Sequence, residues 1–133
     1  MSIDYQIDSV QRRVVAIAHG TLTDADVFNY QRAVWSRADV SGFDEIVDMR
    51  AVKIVELPRP GGERLRELAA TSASMDTPAS SRFAIVAPDD LAFGLGRMYA
   101  AYRDVDARST KEVRVFRTME EAVRWLDEGR VGR

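Results

Sequence analysis

The run FDEIVDMR, residues 43–50, decides the fold. It follows Ser41-Gly42, a turn signal, and its apolar residues come in one short block without helical spacing, which suits a strand covered on both faces. RFAIVAP, residues 82–88, is a second run of this kind after the turn-forming stretch Pro78 to Ser81. Between them, Glu63 to Ser72 carries Leu65, Leu68, Ala69 and Ser72 at i, i+3, i+4 and i+7, the spacing of a modest helix that starts at Gly61 and Gly62. Two doubly covered strands joined through a helix must run parallel if the crossover has the usual right hand.

The same pattern continues outward from this unit. Towards the N-terminus, Ile3, Tyr5 and Ile7 alternate with Asp4, Gln6 and Asp8, the two-residue period of a half-buried edge strand. A turn over Gln11 to Arg13 leads into RRVVAIAHG, a strand apolar on both faces that Gly20 is expected to end. The helix that follows has Thr23 as N-cap and Asp24 and Asp26 in its first turn, with Val27, Tyr30, Val34 and Ala38 as its inner stripe and Phe28 and Trp35 beside it. Towards the C-terminus, Pro88 and Asp89 open a long helix whose expected core stripe is Leu91, Leu95, Met98, Tyr102 and Val105, with Phe93 on the opposite side. EVRVF is the last strand. The last helix begins at the Thr118/Glu121 capping box, faces inward through Met119, Val123 and Leu126, and stops at Gly129. The expected fold is therefore α/β: one mixed, mostly parallel sheet of about five strands with about four helices, in the order β-β-α-β-α-β-α-β-α.

Bulk composition narrows the function classes. A chain of 133 residues that is 46% hydrophobic and 30% charged, with a net charge of −2, fits a single globular domain and has no field suited to nucleic acid. It contains no cysteine, which removes disulfides, thiolate chemistry and cysteine-bound zinc. The opening residues MSIDYQIDSV lack the marks of a secretory signal, and no stretch approaches the ~20 apolar residues of a membrane span, so a cytoplasmic location with no membrane span is expected. No cofactor is indicated.

The element order, together with IVDMR ending the third strand, AFGLGRMY in the long helix and VRVFRTMEEAVRWL at the end, resembles the SpoIIAA-like (STAS-like) family, small bacterial domains related to anti-sigma-factor antagonists. The resemblance runs from Tyr5 to about Leu126. It implies protein–protein signalling or ligand sensing rather than chemistry. In phosphorylated members of the wider family a strand ending in aspartate precedes a loop with an Asp-Ser pair, and the serine is the switch. Aligned without gaps, Asp48 matches the strand-end aspartate, Glu56 replaces the loop aspartate and Leu57 stands in place of the serine. From Arg50 to Ala70 there is no Ser, Thr or Tyr, so no hydroxyl in this segment can take a phosphoryl group.

What remains is the segment VELPRPGG, residues 55–62, and its surroundings. Val52, Ile54, Val55 and Leu57 are unusually apolar for a connector, and Pro58 and Pro60 restrict the backbone between them. They either fold over the sheet edge or form a contact patch, with Phe93 and Met98 of the long helix as its neighbours. The candidate partner or ligand site is therefore Val52, Ile54, Leu57, Pro58, Phe93 and Met98. Arg59, Gly61, Gly62 and Arg64 surround a helix N-terminus and form a candidate anion site. His19 has no sequence-adjacent partner for catalysis or metal binding, and Asp24-Asp26 and Asp89-Asp90 read as helix starts. The expectation is a non-enzymatic domain that binds a protein partner, or itself as a homodimer, through the connector between the third strand and second helix. The alternative is a carrier or sensor of a small apolar or lipid-like ligand, which the resemblance permits through its remote similarity to CRAL-TRIO domains. A cavity of about 300 Å³ or more beneath the connector would favour the ligand, and a flat exposed patch the partner.

Overall fold

A computed structural model describes residues 2–57 and 61–131, with the backbone alone at Gly61 and Val131. Five strands form one sheet in sequential order: β1 (Ile3–Asp8), β2 (Arg13–Thr23), β3 (Asp44–Glu56), β4 (Ser81–Val86) and β5 (Lys111–Phe116). β1 pairs antiparallel with β2, and every later pairing is parallel. The helices are α1 (Asp24–Val34), α2 (Gly61–Ser74), α3 (Asp90–Asp104) and α4 (Met119–Val131). None among the described residues is long and apolar enough to cross a membrane.

Strand order dictates where the helices go. Three consecutive right-handed crossovers between neighbouring parallel strands put α1, α2 and α3 on the same face, and α4 covers the other. The core divides accordingly. Val14, Ala16, Ala18 and Leu22 of β2 pack with Tyr30 and Val34 of α1. Phe83 and Ile85 of β4 pack with Leu65, Leu68 and Ala69 of α2 and Ala92 and Tyr99 of α3. Ile46, Ala84 and Val86 meet Ala122, Trp125 and Leu126 of α4 on the reverse side. Both buried strand runs are thus covered on two faces, as their lack of alternation implies.

The helix starts follow the capping chemistry of the sequence. Thr23 and Asp26 form a reciprocal box at α1, and Asp89 accepts the Ala92 amide at α3. Thr118 accepts the Glu121 amide at the start of α4.

Four expectations are corrected. α4 does not stop at Gly129 but continues to Val131. Gly20 does not end β2: with φ +64° it carries the strand through an irregularity, and pairing with β3 resumes to Thr23. β3 likewise does not give way to a loop after Arg50 but continues through Val55 and Glu56. The inner stripe of α3 is rotated from the expected one. Ala92, Gly96, Tyr99 and Arg103 are buried, whereas Leu91, Met98 and Val105 are exposed. The reason is close approach: a Cβ on Gly96 would lie 3.2 Å from both methyls of Val115, so the helix lies on β5 by its smallest residues. Arg103 can occupy that stripe because its guanidinium is fully bonded inside, as described below.

Gly94, on the same helix, has no neighbour within 4 Å of an added Cβ. Gly94→Ala should therefore stabilise the protein by about 0.5–1 kcal/mol through helix propensity alone, whereas Gly96→Ala should lose that gain to the Val115 contact. Paired denaturant unfolding curves check both.

Candidate functional site

Two features stand out around the connector: an apolar cavity and a projecting two-stranded arm. The cavity, about 100 Å³, lies between the sheet and helices α1 to α3 and falls short of the ~300 Å³ that would favour a lipid-like ligand. Its apolar wall includes Leu22, Val27, Val47, Met49, Leu65 and Phe83, and Val55 and Leu57 line its end at the C-terminal edge of the strands. Tyr30, Gln31, Glu45, Ser72 and Tyr99 bring polar atoms to it.

Those polar residues belong to a buried network at the N-terminal ends of β3 and β5. The Glu45 carboxylate accepts from Tyr30 Oη at 2.7 Å, from Trp35 Nε1 at 3.0 Å and from Lys111 Nζ at 3.1 Å. Lys111 Nζ also lies 3.1 Å from the centre of the Trp35 ring, so the ammonium is held between a carboxylate and a π face. Burial pushes the Lys111 pKa down, with Glu45 and Asp76 opposing the shift. Burial, reinforced by the Glu45 charge, pushes the Tyr30 hydroxyl well up, so it remains a neutral donor. Beside this group, Arg103 bonds Ser109 at 3.1 Å, Asp76 at 2.5 Å and the Ser72 hydroxyl, and Gln31 donates to the Leu68 carbonyl at 3.2 Å. The Gln31 amide oxygen, by contrast, is buried with no hydrogen-bond partner among the described residues.

The arm comes from strand length. β3 pairs with β4 only from Glu45 to Asp48, but with β2 it stays paired to Glu56. From Ala51 to Glu56 the arm therefore has β2 on one side and no β4 pairing on the other. Val52 packs into the core with α1, and Leu57 packs on the cluster under α2 and α3. Ile54 is 57% exposed, and Ile17, on the sheet face that α4 leaves bare near β1, is 44% exposed. Next to Ile17, His19 Nε2 meets Asp4 Oδ2 at 3.1 Å on the open surface, a cross-strand contact that the linear spacing does not reveal. Asp48 is buried and bonded through both oxygens to Arg50, which with the Arg50 amide holds its carboxyl below the usual range although burial acts the other way.

The residues singled out from the sequence are therefore dispersed. Val52 and Leu57 face inward, and Ile54 faces out. Phe93 is half-buried under the Arg117 guanidinium, 4.0 Å from its ring centre, and Met98 is exposed near Gly62; neither lines the cavity. Pro58 and Arg59 lie outside the described residues. Gly61 and Gly62 open α2, and Arg64 is held by Asp24 at 2.6 Å and Glu67 at 2.7 Å while its guanidinium lies over Phe28. Its charge is already matched within the protein. No group of three or more His, Asp or Glu side chains that could hold a metal comes together among the described residues.

The residues that the sequence reading missed are Gln31, Glu45, Lys111, Asp76 and Arg103. One signal for them was present: a strand buried on both faces that opens with Asp44-Glu45 must supply partners for two carboxylates. Removing one member of the Glu45–Lys111 pair should be costly. Lys111→Met is expected to destabilise the fold by about 3–5 kcal/mol, and adding Glu45→Gln should recover part of that loss, as a double-mutant unfolding cycle would measure. Leu57→Asp should also cost stability, since it puts a charge against the core.

No family model and no curated protein matches the sequence. Among solved structures, the chain is similar to an uncharacterized protein of the DUF3478 family with a SpoIIAA-like fold from Shewanella loihica PV-4. The match has a TM-score of 0.60 at 16% identity and covers 94% of this chain and 93% of that one. A likeness spread over almost the entire length of both chains, with the five-stranded mixed sheet and four helices described above, places this protein among those with a SpoIIAA-like fold.

Proposed function

We propose that the protein is a non-enzymatic interaction domain that takes up an extended polypeptide segment, from a partner protein or a second copy of itself, along the free edge of β3 between Ala51 and Glu56. The observation that carries this reading is the mismatch of strand lengths: β3 continues paired to β2 beyond the last residue that β4 meets. An edge paired to one neighbour, irregularly at Lys53, and without β4 pairing on the other side among the described residues can offer its main-chain groups for strand addition, with little ordering cost because the arm is already formed. Ile54 supplies an exposed apolar side chain on that arm.

The reading keeps the expected place, the end of β3, but changes its chemistry from a greasy loop to a strand edge. It also needs no phosphorylatable hydroxyl. A catalytic reading has less support, because the buried ion pairs are satisfied by one another and the exposed His19–Asp4 pair sits on an open sheet face.

Ile54→Asp tests the proposal, since it alters the exposed arm and should change stability by no more than about 0.5 kcal/mol. Native mass spectrometry across micromolar concentrations, followed by selection of binders from a random peptide library, should yield a dimer or a bound peptide that Ile54→Asp abolishes. A wild-type chain that stays monomeric and selects no peptide dependent on Ile54 would overturn the proposal.

A further inference from the structure

We infer that the cavity beneath α1 to α3 is a binding site for a small neutral molecule with an apolar body and one O–H or N–H donor, and that the Gln31 amide oxygen is the group that reads the donor. The inference is independent of strand addition at β3. Gln31 sits on α1 with only 3% of its surface exposed, and it lines the cavity. Its Nε2 donates to the Leu68 carbonyl, which fixes the amide's orientation, and its Oε1 then remains buried without a partner among the described residues. A buried acceptor left unpaired is costly, and folded proteins rarely carry one unless a water or a ligand completes it.

The rest of the lining defines the ligand class. Apolar side chains from all three helices and four strands make up most of the wall, so the body of the ligand must be apolar. A volume of about 100 Å³ limits it to a short chain, smaller than the benzene that an apolar cavity of about 150 Å³ takes up. Charge excludes acids. Lys111 is paired with Glu45, Arg103 is used by Asp76, Ser72 and Ser109, and the Glu45 carboxylate itself lines the cavity, so a carboxylate entering there would meet a like charge and find no spare cation among the described residues. Short aliphatic alcohols satisfy all three conditions. Their hydroxyl would donate to Gln31 Oε1 while the carbon frame lies against Val47, Leu68 and Phe83.

1-Propanol, 1-chloropropane and propionate separate these requirements in ligand-observed NMR titrations of the wild-type protein and of Gln31→Met, which keeps the side-chain length but removes the acceptor. 1-Propanol should bind, 1-chloropropane should bind roughly fivefold more weakly, the weight of one neutral hydrogen bond, and propionate should not bind. In Gln31→Met the preference for 1-propanol over 1-chloropropane should disappear. A crystal structure of the wild-type protein with 1-propanol, placing its hydroxyl within hydrogen-bond distance of Gln31 Oε1, keeps the test decisive should the variant not fold. Failure of 1-propanol to bind, equal binding of 1-chloropropane, an unchanged preference in Gln31→Met, or a water at Gln31 that 1-propanol does not displace would each overturn the inference.

Discussion

The Glu45 carboxylate is the point on which the interior depends. It stands near the start of the central strand, and three donors converge on it: Tyr30 from α1, Trp35 just past the end of that helix, and Lys111 from β5. A buried charge that loses a partner costs far more than the partner's attraction alone, so each contact constrains the others. The first crossover helix can occupy only a position that brings Tyr30 and Trp35 to this carboxylate. β5, in turn, must start at a height that lets Lys111 reach across β4. Arg103 with Asp76 and Ser72 does the same work between the ends of α2 and α3. The sheet is apolar through its middle and polar at its N-terminal end, and this polarity fixes the register of helices that apolar packing alone would leave free to slide.

The architecture was legible because it rests on local patterns. Two doubly covered strand runs, a capping residue before α1 and α3, and the crossover rule suffice to give the element order and the mostly parallel sheet, whereas the face that each helix covers follows only from the strand order. The errors have a common cause, which is that a side chain's burial depends on its partners as well as on its own polarity. Leu91, Met98 and Val105 looked like the inner stripe of α3, yet Gly96 and Ala92 permit a closer approach, and Arg103 enters the core because Asp76 neutralises it. At Gly20 the sequence shows a residue able to break a strand, but not that its positive φ would carry the strand onward.

The candidate site was less legible. Val52, Ile54 and Leu57 were identified as one apolar group, and the structure separates them: two point inward and one outward, because the extra residue at Lys53 breaks the alternation of the strand between Val52 and Ile54 and Leu57 lies at its exit. Gln31 gave almost no signal, as a glutamine between Tyr30 and Arg32 on a helix looks like surface. Its burial depends on α2 and α3 arriving from elsewhere in the chain. The His19–Asp4 contact is hidden for a similar reason, since it forms across the hairpin.

The sequential strand order also has a consequence for biosynthesis. All three crossover helices shield one side of the sheet, so Ile46, Ala84 and Val86 on the reverse side stay wet until α4 is made. A nascent chain that has emerged as far as β5 is thus a half-clad sheet with a sticky back, held in check only by the ribosome or a chaperone. The final helix, tied down by the Arg13–Asp127 bridge and by Arg82 against the Trp125 ring, acts as the clasp that ends this vulnerable interval.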